Sequence, residues 1–224
     1  MTLDSAISAC SIFAEATLLV VLAWRGTGRV LPWFCVYIGW CLVSDVANLL
    51  VVARFSNFYL QFYLYETFVD CALQFGVLLE LAWSVLRCIH ATLDRRNVWL
   101  VGAILFLAGM MLWPWATARM PQHMTAPSQL LIHLYLTMSL LRILCLVAIA
   151  AVSQIFAFSW KDRELQVAAG LGLYSICSFA VALIHSHTLT YSPLPDRAIA
   201  VAYLGVICYW ILQFAREPAR RSPL

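Results

Sequence analysis

Charge is scarce in this chain. Only 11% of its 224 residues are Asp, Glu, Lys or Arg, and the single lysine is Lys161. A water-soluble domain is about a quarter charged and about half apolar, whereas 63% of these residues are apolar and the mean hydropathy is +0.86. One compact soluble core could not hide so much apolar surface from water. Disorder, a fibrous repeat and a secreted disulfide scaffold are excluded on the same grounds, and a bilayer is the solvent the composition requires.

Further absences narrow the function. There is no Gly-x-Ser-x-Gly, no His-Glu-x-x-His and no phosphate-cradling Gly-rich loop, so no catalytic signature points to an enzyme. Nothing resembles a nucleic-acid-binding module, and the net charge of +3 reads as a topology signal instead. The eight cysteines (Cys10, Cys35, Cys41, Cys71, Cys88, Cys145, Cys177, Cys208) are scattered, with no Cys-x-x-Cys. They read as small packing hydrophobes, and a bridge such as Cys10–Cys71 is left open.

What is present is a series of seven long apolar stretches, approximately 7–24, 31–53, 62–88, 98–116, 129–156, 165–186 and 197–215. A spanning helix needs about 20 apolar residues, and barrel strands would alternate in polarity over about ten. The runs are continuous and about twice strand length, so the expected fold is an all-α bundle of seven transmembrane helices forming a single domain, with no soluble domain appended. The first stretch has no basic leader, and Arg25-Gly26-Thr27-Gly28-Arg29 follows it where a cleavage site would be, which reads as an uncleaved span.

Orientation follows from Arg and Lys near the stretch ends. Ten lie on one side: Arg25, Arg29, Arg87, Arg95, Arg96, Lys161, Arg163, Arg216, Arg220 and Arg221. Three lie on the other, Arg54, Arg119 and Arg197. The expected topology therefore has the N-terminus outside and the C-terminus in the cytoplasm of a multi-pass protein in the inner (plasma) membrane.

The informative residues are those that hydrocarbon should reject. A charge at mid-bilayer costs about 2.5–3.5 kcal/mol on insertion scales, yet the stretches contain Glu15, Asp45, Glu66, Asp70, Glu80 and Arg142. At 100° per residue Glu66, Asp70, Gln74, Glu80 and Ser84 fall on one stripe about 140° wide, with Tyr63 and Arg87 on it as well. Asp4, Ser8, Ser11 and Glu15 share a face of the first stretch, Cys41, Asp45 and Asn48 of the second with Tyr37 at its margin, and Tyr135, Ser139, Arg142 and Ser153 of the fifth. Tyr174, Ser178 and His185 align in the sixth. Polar faces on five helices predict a shared polar centre.

Five carboxyls then meet one guanidinium, which by depth would pair with Glu80 or Asp45. The remaining acids must hold protons or face water. The expected charge network is Glu15, Asp45, Glu66, Asp70, Gln74, Glu80 and Arg142, around a cavity for a small solute or cation. The bland alternative is a structural clamp of Arg142 and one carboxylate. A second, outer cluster comprises His133, Tyr174, Ser178, His185 and His187. With Glu66 and Asp196 at similar depth it has donors for zinc or an axial haem ligand. No dense ligand motif accompanies them, so no metal or other cofactor is expected. Retinal is excluded for want of a lysine in the last stretch.

The layout Trp33-Phe34…Asp45, Tyr63-Leu64-Tyr65-Glu66…Glu80…Arg87, Leu141-Arg142, Glu164-Leu165-Gln166…Gly170-x-Gly172 and Tyr209-Trp210…Glu217-Pro218-Ala219-Arg220 resembles a group of seven-span bacterial integral membrane proteins. The resemblance covers most of the chain and implies the fold; the group brings no activity with it. The expected function is small-solute or proton-linked transport through the acid-lined cavity. The alternative is a heptahelical sensor that takes a ligand from outside and signals through a cytoplasmic partner at the basic inner loops.

Overall fold

The computed structural model describes residues 3–54, 59–89, 97–117, 126–155, 163–187 and 194–216. Among the described residues there is no strand, and seven long helices account for nearly all of them: α1 (Leu3–Trp24), α2 (Pro32–Arg54), α3 (Tyr59–Ile89), α4 (Asn97–Thr117), α5 (Ala126–Ile155), α6 (Arg163–His187) and α7 (Leu194–Ala215). Each overlaps one apolar stretch of the sequence. Six are long and apolar enough to cross a membrane, whereas α4 offers a shorter apolar run, Val98–Pro114. Trp113-Pro114-Trp115 reads from sequence as a kink or turn; the helix runs through Pro114 to Thr117, so the chain does not turn there. A proline this near the end removes only one hydrogen bond from the last turns. Pro195 falls in the first turn of α7, where its missing N–H costs nothing.

Successive helices are packing neighbours, and α7 returns against α1 to close the ring. α3 touches α5 and α6 as well as α2 and α4, whereas α4 touches only α3 and α5 among the described residues. Helices consecutive in the chain run in opposite directions: Glu66 near the start of α3 meets Asn48 near the end of α2, and Glu80 near the end of α3 meets the start of α2. The bundle thus has one end where α1, α3, α5 and α7 begin, and a far end where they finish.

The far end is held by polar contacts between helices. Gly26 takes a left-handed conformation (φ +62°) after α1, a region costly for residues with a Cβ. The Thr27 carbonyl accepts the N–H groups of Val30 and Leu31, each at 2.9 Å, and Pro32 opens α2. The first amides of that helix donate to a neighbouring helix: Trp33 and Phe34 N–H reach the two Glu80 carboxylate oxygens at 3.2 and 3.1 Å. The opposite polarity appears at Arg25, whose guanidinium donates to the last carbonyl of α7, Ala215, at 2.5 Å and lies 5.0 Å from the Trp24 ring centre. Acid at a helix start and base at a helix end both follow the helix dipole.

Between lipid-facing helices apolar burial gains little, so close fit decides the packing. Gly170 and Gly172 of α6 provide it on two sides. A Cβ at Gly170 would collide with the indole of Trp210 on α7, and one at Gly172 with Leu146 on α5. Trp210 also donates its Nε1–H to the Gln166 carbonyl at 3.3 Å, and Phe34 meets it edge-on with ring centres 4.9 Å apart. Phe34 and Trp210, with Leu18, Ile38, Val77 and Ile207, belong to the buried apolar core of the bundle. Outward, Phe13, Val43, Leu50, Phe68, Leu107 and Met111 are exposed, an apolar surface of the kind a bilayer covers.

Candidate functional site

A cavity of about 550 Å³ lies between α1, α2, α3, α6 and α7. By position along the helices it occupies the half in which the odd-numbered helices begin. Its rim carries Ile7, Ser8, Glu66 and Arg197; Ser11, Asp45, Asp70, Ala200 and Tyr203 line its middle; Tyr37, Cys41, Gln74 and Tyr174 lie deepest. The volume is that of a small-molecule pocket.

Side-chain amides hold two of the carboxylates. Both oxygens of Glu66 accept from Asn48 Nδ2, at 2.7 and 2.8 Å. Gln74 Nε2 donates to Asp70 Oδ2 at 2.6 Å and to the Tyr37 hydroxyl at 3.3 Å. The helix period explains the α3 pair: Glu66, Asp70 and Gln74 are four residues apart, one above the next on a single face. Asp45 joins them from α2.

Glu15 is fully buried (0% exposed) one turn beyond the cavity-lining Ser11. Its Oε1 accepts from the Tyr203 hydroxyl at 2.5 Å, and its Oε2 has no partner. Arg142 is also buried, at 2% exposure, behind Tyr174. It donates to Ser139 Oγ at 3.1 Å, and its guanidinium carbon lies 5.3 Å from the Tyr174 ring centre. Its Nε and Nη1 have no hydrogen-bond partner, and it sits within electrostatic reach of Asp70. Ser178 lies in the same α5–α6 seam, its hydroxyl 3.4 Å from that of Ser139.

The sequence-expected residues therefore divide. Asp45, Glu66, Asp70, Gln74 and Tyr174 share the cavity, while Glu15 and Arg142 stand behind its wall. Glu80 stands apart: its partners are the backbone amides of α2 at the far end, not Arg142. His133 is buried between α4 and α5 with its ring 4.8 Å from that of Trp113, outside the cavity lining. The side chains of His185, His187 and Asp196 lie outside the described residues, as do those of Arg87 and Ser153. Among the described residues no group of three His, Cys, Asp or Glu could hold a metal ion, and the seven cysteines described are free.

Two lining residues were not legible as such. Tyr203 has no polar neighbour within three residues on either side, and Arg197 counts at sequence level only toward orientation. Their signal was the spacing Arg197, Ala200, Tyr203, which keeps one face of α7 toward the ring interior.

No protein-family model, curated protein or solved structure matches the chain. The cavity lining holds three carboxylates against one guanidinium, a charge balance whose field attracts cations.

Proposed function

We propose that this is a seven-span protein of the plasma membrane, with its N-terminus outside, whose acid-lined cavity captures a small solute or protons from the outer side for passage across the bilayer. The observation carrying this reading is the meeting of Asp45, Glu66 and Asp70 in one cavity of about 550 Å³. Acids inside spanning segments are costly and default to functional roles. The sequence excess of basic residues beside one set of stretch ends, ten against three, supports the orientation.

Sensing is the second reading, and one observation favours it: buried apolar side chains around Phe34 and Trp210 fill the bundle beyond the deep end of the cavity. A ligand would then act by shifting the helices, with the basic loops at the far end reporting to a partner.

Purified protein in liposomes, with pH-dye and cation flux measured, separates the two. Transport predicts flux that falls at least tenfold in Asp70→Asn and survives in Glu80→Gln. Absence of flux from wild-type protein, together with cation-dependent thermal stabilisation, would move the reading to sensing.

A further inference from the structure

We infer that the cavity is built for an organic ammonium ion, its head among Asp45, Glu66 and Asp70 and its hydrocarbon part against tyrosine rings; this rests on the cavity reading above. The charge balance sets the sign of the ligand. The lining holds three carboxylates and one guanidinium, Arg197, and the residues directly behind the wall add Glu15 and Arg142, which lies within electrostatic reach of Asp70. A cation moves that sum toward neutrality. Glu15 Oε2, wholly buried and without a partner, marks an acceptor still short of a donor beside the cavity.

Size and donor arrangement argue against a bare metal ion. A calcium ion needs six to eight oxygens at about 2.3–2.6 Å, and a volume of about 550 Å³ far exceeds that shell. No three metal-type ligands come together among the described residues. An ammonium head instead donates in up to three directions, which suits carboxylates spread over α2 and α3.

The tyrosines specify the rest of the ligand. Each hydroxyl is engaged within the protein: Tyr37 with Gln74, Tyr174 with Tyr135 at 3.0 Å, and Tyr203 with Glu15. With their hydroxyls so engaged, these three lining tyrosines have their rings to offer a ligand. Aromatic rings attract cations and accept hydrocarbon alike, and Tyr174 already carries the Arg142 guanidinium. An amine with an aryl or alkyl body satisfies both halves of the lining; an inorganic cation satisfies one.

The test is titration of the full-length protein in nanodiscs with benzylammonium, methylammonium, sodium, magnesium and neutral benzyl alcohol, read by intrinsic fluorescence and thermal shift. Benzylammonium should bind at least tenfold tighter than methylammonium, with no saturable binding of benzyl alcohol. Asp70→Asn should weaken benzylammonium tenfold or more. Tyr203→Leu should erase the preference for benzyl over methyl, whereas Tyr203→Phe, which keeps the ring, should preserve it. Equal affinity for sodium and benzylammonium would overturn the inference while leaving a cation cavity standing. Failure of every cation to bind, with no proton flux, would overturn the cavity reading too. Affinity unchanged in Asp70→Asn, with the variant folded, would place the amine elsewhere and overturn the assignment.

Discussion

Glu80 on α3 holds the first turn of α2 by accepting the backbone N–H of Phe34 at 3.1 Å, forty-six residues away in sequence. A carboxylate at a helix start is favoured by the dipole and satisfies amides with no partner of their own. Glu80→Ala should therefore cost about 1–3 kcal/mol, and Glu80→Gln, which retains one acceptor, roughly half as much. Thermal unfolding in detergent checks the loss, and cation flux through the folded variant should be unchanged. Flux abolished in Glu80→Gln at unaltered stability would return this residue to the cavity network.

The two sides of α6 predict a contrast between glycines. Gly170→Ala forces a methyl into the Trp210 indole, an overpacking that should cost about 1–3 kcal/mol. Gly205→Ala on α7 meets nothing within 4 Å and should leave stability level or raise it by up to about 1 kcal/mol through helix propensity. Paired melting curves of the two variants measure the difference. Equal melting temperatures would mean that Trp210 is not wedged against α6.

Parity tests the span count. α4 has the shorter apolar run, Val98–Pro114, and packs against only α3 and α5 among the described residues. If it crosses the bilayer, the two termini lie on opposite sides. A green fluorescent protein fused after Leu224 should then fluoresce in the cytoplasm, while an N-terminal epitope on intact cells binds external antibody. Both termini on one side would make α4 a peripheral helix of a six-span bundle.

Much of this organisation is legible in the sequence because a helix buried in lipid needs a long apolar run, and all seven runs are helices. Azimuth is legible too: period 3.6 places Glu66, Asp70 and Gln74 on one face, and all three line the cavity. Depth is where the reading stops. Glu80 shares that face, but fourteen residues at 1.5 Å put it about 21 Å further along, beyond the cavity and beside the α2 amides. Sharing a stripe therefore does not mean sharing a site. Arg142 shows a different gap. Its helix face could be read, but not that the Tyr174 ring of α6 would stand between it and the cavity. The engagement of the tyrosine hydroxyls likewise depends on partners 37 to 188 residues away.

The aromatic wedge of Phe34 and Trp210 has a consequence for how the molecule must work. If the cavity opens to the outer side as proposed, its occupancy tracks the concentration there and is blind to the other compartment. Net crossing would demand that the indole leave its seat over Gly170, making the slowest step a rearrangement of α6 against α7 and not the arrival of the solute.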